Sequence, residues 1–261
     1  MKFATINIWQ KFGPWEERMP RLAEAIGALQ ADVIGLQEVR VEPDYDQGAI
    51  LAKANDYAYV FGAGYDDNDG LTGNAIFSRF PVKRSHTERL PAGHRIQGRC
   101  LVFAELETPL GTLPFFTTHL NWELDDGESR EAQVRAIAQV VPELAKGCSL
   151  PAVLTGDFNA EPDSDEMRYL RGQTSILGPR VYYADAWIYA GDGGPGVTYS
   201  KTNPFGALFR EAERRIDYIY VREPNRSCGE PIEARVCMTE TIRGMHPTDH
   251  YGVLATVRMS L

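Results

Sequence analysis

The chain has 261 residues, 43% of them hydrophobic, enough to bury a large α/β core, and no apolar run approaches membrane-spanning length. Its 36 acidic residues outnumber 27 basic ones, giving a formal net charge of -9. That balance argues against a protein whose affinity rests on coating a nucleic-acid backbone with Lys and Arg, yet leaves room for an enzyme that meets phosphate through a bound cation. Cys100, Cys148, Cys228 and Cys237 are far apart without Cys-x-x-Cys spacing, so buried reduced thiols are expected rather than a disulfide framework or zinc cluster. With no signal-peptide pattern, a cytoplasmic protein is expected.

Phe3 to Ile8 reads as a strand ending at Asn7, followed by a loop from Trp9 to Trp15. Met19, Leu22, Ala23, Ile26 and Leu29 recur at helical spacing, which predicts a helix over Glu16 to Gln30. Asp32 to Glu38 is then an apolar run closing on a carboxylate, and strand, helix and strand in this spacing can form one crossover unit. Pro43 to Asp69 reads as loop-rich, with a short helix near Ala49 to Lys53. Its acidic cluster at Asp66, Asp67, Asn68 and Asp69 lacks the ligand spacing of a calcium loop and reads as solvated.

Asn74 to Ser78 and Val82 to Leu90 read as strands, and Arg99 to Glu107 with Thr112 to Asn121 as a hairpin through Pro109 to Gly111. A long helix with Ile137, Val140, Val141 and Leu144 on its core face follows. A buried strand then breaks at Thr155-Gly156 and presents Asp157 and Asn159 on either side of Phe158. A helix near Asp163 to Leu170, a Gly- and Pro-rich loop over 191–196, a strand over Arg214 to Val221 with Asp217 inside it, and a strand from Tyr251 to Arg258 complete the chain. No repeat, low-complexity tract or composition break marks a linker, so one domain is expected over 1–261. Strands outnumber helices, and the long helices separate strands in both halves. This pattern suggests sheets packed face to face with helices outside, rather than a closed barrel.

Asn7, Glu38, His119, Asp157, Asn159, Asp249 and His250 collect at the ends of apolar runs, with Asp217 inside one. Each alone has a plain explanation: a histidine at a strand edge, or an Asp in a cap or turn. Together they are hard oxygen ligands, amides and two imidazoles, a set that suits Mg²⁺ or Mn²⁺ better than Zn²⁺. The series Thr5-Ile-Asn7, Leu36-Gln-Glu38, Thr118-His-Leu120, Gly156-Asp-Phe-Asn159, Arg215-Ile-Asp217 and Thr248-Asp-His250 resembles the endonuclease/exonuclease/phosphatase superfamily, in the family's order and over nearly the whole chain.

The resemblance implies a DNase I-like fold, a four-layer α/β sandwich of two packed, mostly antiparallel sheets flanked by helices. It also implies metal-dependent hydrolysis of a phosphoester, with Mg²⁺ or Mn²⁺ expected and Ca²⁺ a third choice. By that similarity Glu38 is the principal metal ligand, with Asn7 and Asp249 helping to bind that ion or a second. Asp157 orients or deprotonates the attacking water, and Asn159 holds it and a phosphate oxygen. His119 donates to the phosphate, His250 acts as acid/base or stabilises the transition state, and Asp217 orients an imidazole, expected to be that of His250.

Substrate is read less directly. The same motifs occur in the tyrosyl-DNA phosphodiesterase branch, whereas the abasic-site enzymes carry a Tyr-Pro-Asn segment where this chain has Thr118-His119-Leu120. Asn121 and Trp122 are candidates for substrate contact. Trp9, Trp15, Trp122 and Phe205 could stack on a base, line an apolar pocket or fill loop cores. The acidic balance favours a small or lipid-like phosphodiester over long duplex DNA, with a nuclease or nucleic-acid end-processing enzyme as the alternative. A non-catalytic binding member of the fold is the reading from another class, and it sits poorly with so complete a residue set.

Overall fold

The computed structural model describes residues 1–67, 69–92, 98–223 and 228–259. Two β-α-β crossovers set the architecture. In the first, β1 (Lys2–Asn7) runs parallel to β2 (Val33–Glu42) through α1 (Trp15–Leu29), with Asn7 opposite Gln37. In the second, β8 (Gly111–His119) runs parallel to β9 (Val153–Asp157) through α3 (Gly127–Leu144), with His119 opposite Asp157. These strands are buried along nearly their whole length, as central strands covered on both faces must be.

The remaining strands add antiparallel. One sheet orders β12 (Glu230–Cys237), β13 (Gly252–Arg258), β1, β2, β5 (Leu71–Ser78) and β4 (Ala58–Asp66), with β3 (Tyr45–Asp46) on β2. The other orders β10 (Tyr183–Asp185), β11 (Asp217–Arg222), β9, β8, β7 (Cys100–Thr108) and β6 (Val82–Arg89). The sheets are therefore mostly antiparallel, as expected, with one parallel pair in each.

Between the sheets Phe3, Val33 and Ile76 pack on Val102, Phe115, Val153 and Ile219. On one outer face, Leu22, Ile26 and Leu29 of α1 and Leu51 of α2 (Gln47–Ala54) cover Ala4, Ile6 and Ile34. On the other, Ile137 and Val141 of α3 and Met167 and Leu170 of α4 (Asp165–Leu170) cover Phe116 and Leu154. The result is the four-layer α/β sandwich. The short helix α5 (Ala186–Ala190) adds Ala186 to the core between the sheets. The four cysteines are free, but only Cys100 and Cys237 are buried.

Three boundaries depart from the sequence reading. β2 does not close at Glu38: it runs on to Glu42 through a bulge between Leu36 and Val39, where Glu38 adopts a left-handed backbone (φ 57°). A bulge of this kind re-aims one side chain without ending the strand. The stretch expected to be loop-rich holds, besides the short helix anticipated there (α2), the nine-residue β4, masked in the sequence by Gly62 and Gly64. Asp217 begins β11 rather than lying inside a strand, opposite Asp157. In the acidic cluster Asp67 pairs with Arg40, and Asn68 lies outside the described residues.

The sheets approach closely at Gly35. A Cβ there would stand 2.2 Å from Thr155 Oγ1 and 2.6 Å from Thr117 Oγ1. Gly35→Ala should therefore destabilise the fold by about 1–3 kcal/mol, the usual cost of overpacking a core, measured as a lower urea midpoint at unchanged slope.

Candidate active site

Because β1 and β2, and likewise β8 and β9, run parallel, their C-terminal ends meet at one rim. There they border a cleft of about 840 Å³ lined by Glu38, His119, Asp157, Asn159, Asp249 and His250. Asn7 lies buried beneath it, at the junction of the two sheets. Its Nδ2 donates to Glu38 Oε1 (3.2 Å) in its own sheet and to Asp157 Oδ2 (3.0 Å) in the other, while its Oδ1 accepts from the Trp9 amide (2.9 Å). Two carboxylates on one side and an N–H on the other fix the amide's orientation, because the reverse would set oxygen against oxygen. Asn7 thus turns its donor, not its oxygen, toward the site. In this arrangement Asn7 holds the two carboxylates together.

Asp157 is anchored on both oxygens, Oδ1 accepting from the Asn159 amide at 2.9 Å. His119 Nε2 stands 3.6 Å and His250 Nε2 3.8 Å from Asp157 Oδ2. Burial and the neighbouring Asp217 push the Asp157 carboxyl up to about 6, against the pull of His250 and its two hydrogen bonds. Burial also drives the Asp249 carboxyl up, to about 7, with Glu38 adding repulsion and His250 and Arg18 opposing it.

The two histidines are shifted in opposite directions. Asn159 Nδ2 donates to the Leu120 carbonyl (3.2 Å), so the same nitrogen faces His119 Nε2 (2.9 Å) as a donor and that ring nitrogen accepts. Burial, together with Arg99 and His250, holds His119 well below its ordinary range, which favours the neutral imidazole. In this arrangement His119 Nε2 is engaged by the Asn159 amide. For His250 burial works against the charge, but Asp217, Asp249 and Asp157 outweigh it and raise the group well above its ordinary range. Its Nδ1 lies 3.0 Å from Asp217 Oδ2, the partnership anticipated from the sequence.

The substrate candidates separate. Trp122 lines the cleft and is half exposed. The Asn121 side chain is spent on its own turn, donating to Asp126 Oδ2 (2.6 Å) and accepting from the Glu123 amide, and it is not among the cleft-lining residues. A side chain immediately after a strand end serves the backbone turn as readily as a ligand. Trp9 lines the cleft with Phe205 packed behind it at 5.1 Å, whereas Trp15 packs on Tyr45 away from it.

Sequence reasoning missed Arg99, Tyr199 and Asn74, all cleft-lining, and Phe12, Leu208 and Phe209, which expose apolar surface at its rim. The Tyr199 ring lies 5.0 Å from His250. Exposed apolar residues in a Gly- and Pro-rich stretch were the available signal for Leu208 and Phe209. Nothing in the local pattern distinguishes Tyr199.

Buried polar atoms test whether a cation fits. Glu38 Oε2 and Asp217 Oδ1 are buried without a hydrogen-bond partner among the described residues, and donor atoms of Asp157, Asp217 and His250 lie within 4.8 Å of one another. Buried carboxylate oxygens without donors are costly unless a cation or proton meets them. The donor set is hard oxygen and fits a divalent ion of that kind. Of the two places, Glu38 with Asp249 is the better, because the Asp217–His250 pair is already committed to each other.

These shifts carry a consequence for stability. Asp157 and Asp249 hold protons in the fold at pH values where their unfolded counterparts, with ordinary pKa 3.8, are ionised. Unfolding then releases protons, so these two groups lower the stability of the metal-free protein as pH rises from about 4 to about 7. His119, depressed in the fold, works the other way below 6.5. Asp249→Asn should flatten the downward slope, as read from urea unfolding in chelator at a series of pH values between 4 and 8; an unchanged slope would overturn the assignment to Asp249.

Comparison with known proteins agrees with this geometry. Residues 4–250 match the Endonuclease/Exonuclease/phosphatase family. The chain is 30% identical over 173 residues to the uncharacterized protein YbhP of Escherichia coli K12, covering 60% of this chain and 66% of that one. It is 28% identical over 257 residues to nocturnin of Xenopus laevis, covering 92% of this chain and 64% of that one. The chain thus spans about two thirds of the length of these curated relatives. The crystal structure of an endonuclease/exonuclease/phosphatase family protein from Bacteroides thetaiotaomicron superposes with a TM-score of 0.78 at 19% identity, over 100% of this chain and 98% of that one, and shares its fold. With the motif set at one cleft and the match running from the first strand to His250, the chain belongs to the Endonuclease/Exonuclease/phosphatase family, whose members are phosphoesterases.

Proposed function

We propose that this cleft hydrolyses a small or lipid-like phosphodiester with the help of a divalent cation, by in-line attack of a water held at Asp157. The observation that carries the reading is the opposition of Asp157, a carboxylate raised to about 6, and His250, an imidazole held protonated by Asp217, with Nε2 3.8 Å from Asp157 Oδ2. Two titratable groups pushed to opposite roles across one cleft are the mark of an acid and a base.

Asp157 accepts the proton of the water, its own position fixed by Asn7 and the Asn159 amide. His250 presents its Nε2 proton to a non-bridging oxygen or to the departing alkoxide, and Asp217 keeps that proton available. Asn159 and neutral His119 hold each other, with the second Asn159 donor on the Leu120 carbonyl. Glu38, through its unpartnered Oε2, and Asp249 would hold the cation, which supplies charge neutralisation to the phosphoryl oxygens.

The size of the cleft and its apolar rim of Phe12, Trp122, Leu208 and Phe209 favour an organic group attached to the phosphate. Arg99 and Arg214 are the basic residues among the described cleft-lining set, and Arg214 is paired with Glu211, which gives little purchase to a polyanion. The aromatic rim is the one observation that favours the second reading, nucleic-acid end processing, through base stacking.

Hydrolysis of bis(p-nitrophenyl) phosphate, p-nitrophenyl phosphate and a short single-stranded oligonucleotide should separate these readings. Diester turnover should vanish in EDTA and return with Mg²⁺ or Mn²⁺, and full turnover in excess chelator would sink the metal assignment. Asp157→Asn should lower kcat by about 10²–10⁴-fold, the range of a lost general base. His86→Ala, at an exposed His–Glu88 pair, should change kcat by less than about twofold, as a surface change remote from the site.

A further inference from the structure

Arg18 is wholly buried, yet its partners are backbone carbonyls rather than carboxylates. The guanidinium donates to Ile8 O (3.1 Å), Trp9 O (2.9 Å), Gln10 O (3.0 Å), Phe12 O (2.8 and 3.2 Å) and Pro247 O (3.1 Å), and it lies 4.7 Å from the Trp9 ring centroid. Burying a guanidinium this way is expensive, and the planar fork is suited to gathering several carbonyls at once.

What it gathers is a turn that ordinary residues resist. Trp9 (φ 56°) and Gln10 (φ 39°) are consecutive left-handed residues, neither of them glycine, each costing about 1–2 kcal/mol relative to ordinary backbone. Such a pair persists only if its surroundings hold it. The turn in turn holds the site: the Trp9 amide donates to Asn7 Oδ1 (2.9 Å) and the Gln10 amide to the carbonyl of Glu38 (3.1 Å). Pro247, the fifth carbonyl's owner, stands two residues before Asp249, and Thr248 Oγ1 donates to Asn7 O (2.8 Å).

We propose that Arg18 is a positioning residue. It locks the Trp9–Gln10 turn in its left-handed form and so fixes Asn7, with its amide donor toward Glu38 and Asp157, and the backbone of Glu38. Gln47, which also donates to Gln10 O (3.0 Å), supports one carbonyl of the five and cannot replace the fork. Through Trp9 and Phe12 the same turn forms part of the cleft wall, so one buried side chain sets both the wall and the carboxylate spacing.

The test pairs amide hydrogen exchange with a double-mutant cycle in the full chain, using Arg18→Lys, Arg18→Met and Asn7→Ala. In Arg18→Lys, the Trp9 and Gln10 amides should exchange at least about tenfold faster while those of Ala4 and Thr5 in β1 change little, a local rather than global opening. Arg18→Met should raise the exchange further, because Lys keeps a charge and some donors. If the Met variant does not fold, Arg18→Lys carries the test alone.

The activity arm rests on the phosphodiesterase reading; the exchange arm does not, and so survives if no phosphoester is turned over. Arg18→Lys should lower kcat by about 10- to 100-fold, the scale of a misplaced catalytic group, with KM changed much less. The same substitution in the Asn7→Ala background should cost less than about threefold, because residues acting in series are not additive. Unchanged exchange at Trp9 and Gln10, or losses that add in full in the double variant, would overturn the proposal.

Discussion

One side-chain amide joins the halves of this molecule. Asn7 stands where the two sheets converge and gives one hydrogen bond to a carboxylate of each. Buried carboxylates repel, and without a donor between them the rim would relax apart or hold them protonated. The sandwich supplies the convergence: parallel strand pairs at the centre of each sheet bring Asn7, Glu38, His119 and Asp157 to one end from four different strands. The antiparallel neighbours then deliver Asp217 opposite Asp157, and the segment before β13 delivers Asp249 and His250. Beneath them Thr5, Gln37 and Thr117 form a buried polar ladder that ties the sheets without charge (Gln37 Nε2 to Thr117 Oγ1, 2.8 Å).

Four left-handed residues stand at the same rim. Trp9, Gln10, Glu38 and Asn159 all have left-handed backbones, and all line the cleft. Each conformation turns a side chain or an amide in a direction a regular strand cannot offer: Glu38 through a bulge, Asn159 through a turn whose amide caps Asp157. Regular structure supplies the platform, and departures from it supply the aim. Large sheets packed on both faces can sustain such departures because the surrounding packing over-determines them.

The motifs were legible because strand ends are where a buried apolar run must stop, and polar residues there stand out against what precedes them. Asp157, Asn159, His119 and Asn7 were found this way, and the first crossover followed from one amphipathic helix between two such runs. The period-2 signal failed at β4, where Gly62 and Gly64 break the pattern; a Cβ at Gly62 would meet Thr87 Oγ1 and Val102, so packing demands the glycine that hides the strand. The apolar stripe read on α1 left out Arg18, although Arg18, Leu22, Ala25 and Leu29 continue one buried face of the helix. Residue type alone also leaves Asn7 and Asn121 undecided: an asparagine has two ends, and which end faces a site depends on its partners.

The pairing of β1 with β13 places the beginning and the end of the described chain side by side, Lys2 opposite Thr256 and Thr5 opposite Val253. A nascent chain emerging from the ribosome therefore exposes one flank of β1 until β13 has been made. Asp249 and His250 arrive in the same late event. Until then the acidic rim lacks its imidazolium and one of its carboxylates, and an edge of the central sheet stays open to unwanted partners. Completion of the cleft and closure of that edge become a single step, so a partly synthesised chain gains neither the full set of cleft residues nor protection from aggregation ahead of the other.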